Sequence, residues 1–277
     1  MRVEIGRGML LFFALAFLAS CQAELPPLEK RKWVDWSFKL TDDTLQLRIE
    51  KVIPGPISLR FESNKAQLDT LLQKLNPIRM NEADVELFTF ANSGLDTSLQ
   101  RKDFKAFATL GIPEIVKEAD TLSWPFPKGR RYKVIQAYNG SFSHNKAASR
   151  YTLDFNLKVG DTICAAADGL VMEVIEAYNV GGKDKRYFNY ANVITVNQFD
   201  GYITQYVHLQ QNGAFVEPGD TIKRGQAIGL SGLTGFTAGP HLHFNVFKPQ
   251  VDGTLSHPAV FEQIAGKNLK KGMVVGH

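Results

Sequence analysis

Apolar and polar residues alternate in short runs from Trp36 onward: Trp36, Phe38 and Leu40; Leu45, Leu47 and Ile49; Ile57, Leu59 and Phe61. A period of two puts the apolar members of each run on one face of a strand. The runs are broken at Asp42-Asp43 and at Pro54-Gly55-Pro56, so they predict half-buried antiparallel strands joined by turns. Leu68, Leu71, Leu72 and Leu75 instead recur at helical spacing and predict one or two helical turns. A further strand is expected from Val85 to Phe90. Residues 33–120 thus read as a β-sandwich-like N-terminal domain, and 121–129, with Pro125, Pro127 and Gly129, as a linker. Strand patterns resume in 130–265, at Tyr132–Ile135, Leu170–Ile175, Val193–Val196 and Tyr202–Leu209. The expected class is all-β.

Two smaller features refine this picture. Gly160-Asp-Thr-Ile163 recurs as Gly219-Asp-Thr-Ile222, each a turn before an apolar strand. Either two halves of one sheet system are related, or the same turn chemistry is used twice. The stretch from Asn179 to Tyr187 is polar and carries Gly181-Gly182, so it reads as a loop. Lys267, Lys270 and Lys271 mark 266–277 as a basic, solvated tail.

The N-terminus carries an export pattern. Arg2 and Arg7 precede the apolar run Met9–Leu18, which is too short to span a bilayer comfortably, and small residues follow it. Residues 1–20 therefore read as a signal peptide. Leu18-Ala19-Ser20-Cys21 resembles a bacterial lipobox, which makes Cys21 the lipidated first residue of the mature chain and 21–32 a tether. The plainer alternative is a signal peptide in which Cys21 is incidental. Gln22 after such a cysteine implies sorting to the outer membrane, so the expected location is its periplasmic face in a Gram-negative bacterium. With Cys21 lipidated, Cys164 has no partner for a disulfide and reads as a small buried hydrophobe.

Charge adds little. The formal net charge is +4, with 44% hydrophobic and 22% charged residues, a globular composition. No basic run is interleaved with aromatics, so no nucleic-acid partner is expected. The region before residue 130 contains no histidine and no cluster of acids, which leaves it a binding, spacing or structural role.

All six histidines lie beyond the linker. In Thr237-Ala-Gly-Pro240-His241-Leu242-His243-Phe244-Asn245-Val246-Phe247, Leu242, Phe244 and Val246 share one strand face. His241, His243 and Asn245 share the other, where adjacent imidazoles suit metal binding or acid–base chemistry. A second strand carries His208 on the face of Thr204 and Tyr206. Tyr151, Leu153 and Phe155 supply an apolar face that leaves Asp154 on the opposite one, as a ligand or as a surface residue. His257 and His277 fall outside these motifs and read as surface residues, while Asp161 and Asp168 sit in Gly-Asp and Asp-Gly turns.

Together, Ser143-His144, Leu153-Asp154-Phe155, Ala165-Ala-Ala-Asp-Gly-Leu-Val171, Tyr206-Val-His208-Leu209, Val216–Gln226, Gly229–Gly235 and Gly239-Pro-His-Leu-His-Phe244 form an ordered set. Residues from about 129 to 250 resemble the lysostaphin-type (LytM-like) zinc metalloendopeptidases, which cut the peptide part of bacterial peptidoglycan. The resemblance implies an antiparallel, barrel-sandwich-hybrid-like peptidase domain. It implies a single Zn2+ on His144, Asp154 and His243, with His208 and His241 as catalytic histidines that do not ligate. Such a set leaves a coordination position open for water or substrate. Either imidazole can then accept the water's proton, and the pair can stabilise the oxyanion or protonate the leaving amine. A helical HExxH pattern is absent, so a glutamate base of that type is not expected. Nine residues separate His144 from Asp154, a longer gap than the family's usual first motif, though a Gram-negative branch shows a similar Ser-His and Tyr-x-Leu-Asp-Phe arrangement.

The expected function is therefore a zinc endopeptidase acting on peptidoglycan cross-links or stem peptides, anchored to the membrane by lipid. Two alternatives stand beside it: an inert LytM-like regulator of wall hydrolases with a protein partner, and a wall-binding lipoprotein with a structural metal.

Overall fold

The computed structural model describes residues 24–82, 84–91, 94–96 and 98–277. Cys21 and the segment 1–20 lie outside the described residues. Strands dominate, and the one α-helix among the described residues is Ala66–Gln73.

The first alternating runs form strands because one face of each can be buried. Val34–Leu40, Thr44–Lys51 and Val85–Ala91 pair as an antiparallel sheet, with Trp36 opposite Ile49 and Phe38 opposite Leu47. Ile57–Ser63 is flanked by Ile78–Met80 and Phe104–Leu110 in a second sheet. Leu45, Leu47, Ile49, Ile57, Leu59 and Phe61 are almost fully buried in one shared core, where the Trp36 and Phe61 rings meet edge-on at 5.4 Å. Leu68 and Leu72 of the helix close this core. The helix stops at Gln73, short of Leu75, because Pro77 disfavours a helical Asn76. Asn76 turns back instead, and its amide exchanges two hydrogen bonds with the Phe61 backbone.

The second half builds a nine-stranded sheet. Its order is Thr221–Ile222, Gly169–Ile175, Val193–Gln198, Ile203–Val207, Leu242–Gln250, Leu153–Phe155, Arg131–Gln136 and Val274–Gly276, with Gly253–Ser256 also pairing Leu242–Gln250. A smaller sheet of Leu209–Ala214, Ala227–Ser231 and Thr162–Cys164 shares its core. Within it Cys164 is free and buried, as a small hydrophobe should be.

The N-terminal unit packs on the same face of the large sheet that carries His243. The register pairs Ile203 with Phe247, Gln205 with Asn245 and Val207 with His243, and Ile203 and Phe247 join the N-terminal core with Met172. The approach is close at Gly111, where φ is +80° and a Cβ would lie 2.3 Å from Pro249 Cγ. One end of this face is therefore covered, and the other is left to the histidines.

Three segments depart from expectation. Residues 121–129 read as a linker, yet Leu122, Trp124 and Phe126 are at most 2% exposed, and Trp124 stacks on Phe261 at 4.2 Å. The prolines mark turns in a segment whose aromatics fill the core of the second half. Residues 266–277 are no loose tail, because Val274–Gly276 pairs with Arg131–Gln136 and Leu269 and Val275 are buried. The tether is docked in part. Leu25 packs with Tyr178, Tyr190 and Val193, Glu29 N–H donates to the Tyr178 hydroxyl at 2.7 Å, and the Trp33 indole donates to Glu173 at 3.1 Å.

The recurring Gly-Asp-Thr-Ile proves to be shared turn chemistry. Gly160 and Gly219 have φ of +85° and +101°, a backbone state glycine adopts freely. Asp161 accepts from Lys158 N–H at 2.8 Å, and Asp220 from Glu217 N–H at 2.9 Å, but the strands that follow lie in different sheets.

Candidate metal centre

The strand Leu242–Gln250 lies between Leu153–Phe155 and Ile203–Val207. Leu242, Phe244 and Val246 are buried in the core, so His243 and Asn245 point to the opposite face. His243 stands directly across the ladder from Asp154. Leu153 and Phe155 face the core, so Asp154 points to the opposite face, toward the histidines, and it is only 5% exposed.

His144 comes from the loop before that strand and is fully buried. Its Nδ1 faces the Ala137 carbonyl at 3.1 Å. A carbonyl can only accept, so Nδ1 carries the proton and Nε2 presents a lone pair. That lone pair lies 3.2 Å from Asp154 Oδ1 and has no hydrogen-bond partner. His243 Nδ1 approaches the same oxygen at 2.9 Å. The other carboxylate oxygen accepts from Gln136 Nε2 at 3.2 Å, and Gln136 also reaches Ser143 Oγ at 2.9 Å.

This donor set fits zinc. Metal bonds of 2.0–2.1 Å in a tetrahedron separate ligand atoms by about 3.3 Å, close to the 3.2 and 2.9 Å measured here. A buried imidazole lone pair aimed at a buried carboxylate is costly without a cation between them. Burial alone would raise the Asp154 carboxyl pKa, but the hydrogen bond from His243 Nδ1–H holds it below the usual carboxylate range.

His208 and His241 complete the site. His208 does not continue its strand: Ile203–Val207 ends before it, and its φ is +67°. Strict alternation would put His208 on the core face with Thr204 and Tyr206, because Val207 is the residue paired with His243. The left-handed backbone turns it the other way, to within 4.6 Å of the His241 ring and 5.6 Å of the His243 ring. Such a conformation costs a non-glycine residue on the order of 1 kcal/mol or more, the kind of strain that clusters at functional sites. Its Nδ1 donates to Thr234 O at 2.7 Å. His241 Nδ1 donates to Gly239 O at 2.8 Å, with Thr237 Oγ1 at 3.1 Å. Both rings thus keep Nε2 unprotonated. Burial, then the neighbouring imidazoles, pulls the His208 pKa down to about 3. Burial also lowers that of His241. Both are neutral near pH 7. With His243 they form a second group whose ligand atoms lie within 4.8 Å of one another, as do those of His144, Asp154 and His243.

The remaining candidates fall elsewhere. Asp161 closes its turn, and Asp168 pairs with Lys223 and accepts from Arg224 N–H. His257 packs against Tyr202 at 4.6 Å and His277 against Phe126 at 6.4 Å, so both are half-buried rather than plainly on the surface. The loop 179–187 reaches the site by pairing Gly181–Gly182 with Gly235–Phe236, and Gly182 O accepts from Thr237 N–H at 3.0 Å. Reasoning from sequence did not single out Gln136, Thr234 or Thr237. Two of the acceptors that orient the rings are backbone carbonyls of Thr234 and Gly239, which leave no signature in residue type.

Residues 148–258 match the family described as Peptidase family M23. An "Uncharacterized metalloprotease" of Haemophilus influenzae is 28% identical over 211 residues, 73% of this chain and 41% of that protein. The peptidoglycan DD-endopeptidase ShyC of Vibrio cholerae is 37% identical over 116 residues, 42% of this chain and 23% of the relative. A zinc-containing peptidase structure from Vibrio cholerae covers 80% of this chain and 83% of its own, at 17% identity and a TM-score of 0.36. The chain spans well under half the length of these curated relatives. The matched segment contains Asp154, His208, His241 and His243 and begins just after His144. Residues 148–258 are a peptidase M23 domain, and the chain is homologous through it to lysostaphin and to the peptidoglycan endopeptidases of Vibrio cholerae.

Proposed function

We propose that this chain is a zinc-dependent endopeptidase that hydrolyses peptide bonds in the cross-links or stem peptides of bacterial peptidoglycan. The carrying observation is the convergence of His144 Nε2, Asp154 Oδ1 and His243 Nδ1 beside a second pair of neutral imidazoles. Zinc held by His144, Asp154 and His243 would supply Lewis-acid polarisation of a peptide carbonyl and would acidify the attacking water toward neutrality. His208 or His241 accepts the attacking water's proton at its bare Nε2. The imidazolium so formed keeps its Nδ1–H on Thr234 O or Gly239 O, and it stabilises the oxyanion or protonates the departing amine from Nε2. The wall as substrate rests on the named activity of relatives such as ShyC, and on the export pattern of residues 1–20. Cys21, followed by Gln22, is read as a lipid anchor on the periplasmic face of the outer membrane.

Zinc analysis and digestion of purified sacculi test the reading together. The wild-type chain is expected to hold a single zinc and release peptide fragments. His243→Ala should lose both properties, and His241→Ala should keep zinc but release nothing. A wild-type chain without zinc, or three proteins with the same products, overturns it. Cys21→Ser should move the chain from the membrane to the soluble fraction, and unchanged fractionation removes the anchor.

A further inference from the structure

Asn245 shares the face of His243 but has no place in the chemistry above. It is 3% exposed and lies two residues beyond His243 on the same strand. Both polar atoms of its amide are bonded within the protein. Nδ2 donates to Ala148 O at 2.8 Å, and Oδ1 accepts from Ser256 Oγ at 2.9 Å. Ser256, 5% exposed, sits opposite Phe247 on the neighbouring strand. Its N–H donates to Ala147 O at 3.1 Å, and its Oγ accepts from Tyr151 N–H at 3.0 Å. Two side chains from the His243 hairpin thus grip Ala148 and Tyr151 of the loop that carries His144, and the Ser256 backbone N–H adds a hold on Ala147.

That grip answers a mechanical need. His144 is anchored through Nδ1 to Ala137 O and through its N–H to Gly140 O, both in its own segment. The turns at Lys146 to Thr152 are also internal, and Ser149 Oγ donates to Ser143 O at 2.8 Å. A segment bonded mostly to itself can swing as a unit, taking the His144 Nε2 out of reach of Asp154. Gln136 holds the near end at Ser143, and Asn245 with Ser256 holds the far half. The nine residues between His144 and Asp154 make the second hold necessary.

We propose that Asn245 and Ser256 form a clasp that positions His144 for metal binding by pinning its loop to the hairpin of His243. They are positioning residues: Asn245 is buried and spends both polar atoms of its amide on Ala148 and Ser256, not on the metal ligands. The proposal rests on the zinc reading above for its consequence, but the loop contacts stand apart from it.

Lys146 and Arg150 are exposed within the clasped loop and are trypsin sites. The test compares wild type with Asn245→Ala and the milder Ser256→Ala. Zinc affinity is measured by competition with a chelator, tryptic cleavage at Lys146 and Arg150 on metal-free protein, and kcat on sacculi at saturating zinc. Both variants are expected to lose zinc affinity on the order of 10–100-fold, to be cut faster in the loop, and to regain near wild-type kcat once zinc is saturating. Wild-type affinity and wild-type cleavage in a folded variant overturn the clasp. So does a lost kcat with unchanged affinity, which would put Asn245 among the reacting groups. If the wild-type chain binds no zinc, the function proposed above fails, and metal-free cleavage rates still decide the clasp.

Discussion

Asp154 faces His243 directly across an antiparallel ladder, with Asp154 Oδ1 2.9 Å from His243 Nδ1. Two rigid strands therefore set the spacing of two candidate ligands, and only His144 comes from a loop. Asp154→Asn keeps the shape but removes the charge that a zinc ion needs. Zinc affinity is expected to fall far more than stability, because the amide can still accept from Gln136. Chelator competition and a thermal melt of the metal-free protein check this. Loss of the fold without loss of affinity would assign Asp154 to packing.

His208 separates ligation from proton transfer. Its ring lies 4.6 Å from that of His241, and its Nδ1 is tied to Thr234 O. His208→Ala should retain zinc and lose on the order of 10²–10⁴-fold in kcat, the usual worth of a positioned acid–base group. The variant also relieves no contact of His144 or Asp154, so its metal content should match wild type. Reduced zinc in His208→Ala would move the metal toward the second histidine group.

The visible and hidden parts of the structure divide on physical grounds. The alternation of Leu45, Leu47 and Ile49 and of Leu242, Phe244 and Val246 could be read because one strand face is buried and one is not. The same logic placed His243 and Asn245 together. It failed at His208, where one left-handed residue reverses the face and a distant carbonyl holds the ring. It left Asp154 open because alternation names two faces without saying what covers them. Trp124, Phe126 and Val275 were misjudged because prolines, glycine and lysines around them signal turns and solvent, while their burial comes from partners such as Phe261 and the strand at Arg131–Gln136. The docking of Leu25 on Tyr178 and Val193 is nonlocal in the same way.

Acid should destabilise the metal-free protein. The folded His208 titrates at about 3, against an ordinary 6.5. Between those values the unfolded chain binds a proton that the folded chain refuses, so stability is fully present above about pH 6.5 and is lost as pH falls toward 3. The lowered pKa of Asp154 acts in the same direction at still lower pH. The melting temperature of chelator-treated protein should fall between pH 7 and pH 4.5, and His208→Ala should flatten that slope. A melting temperature that rises on acidification would contradict the neutral state assigned to His208.

Gly235 links the fold to the imidazoles of His208 and His241. Its φ is +80°, and a Cβ there would lie 2.5 Å from Ala191 Cβ and 2.7 Å from Ala191 Cα. Any side chain must push the Gly235–Phe236 strand off Ala191, at a backbone cost of about 1–3 kcal/mol. Thr234 precedes this strand and holds His208, and Thr237 follows it beside His241 Nδ1. Gly235→Ala should therefore tilt both rings while leaving His144, Asp154 and His243 in place. Expected are wild-type zinc content, a modest drop in melting temperature and a large drop in kcat with little change in KM. A variant that loses zinc in step with activity would show that the strand supports the whole site rather than the two proton-transfer histidines.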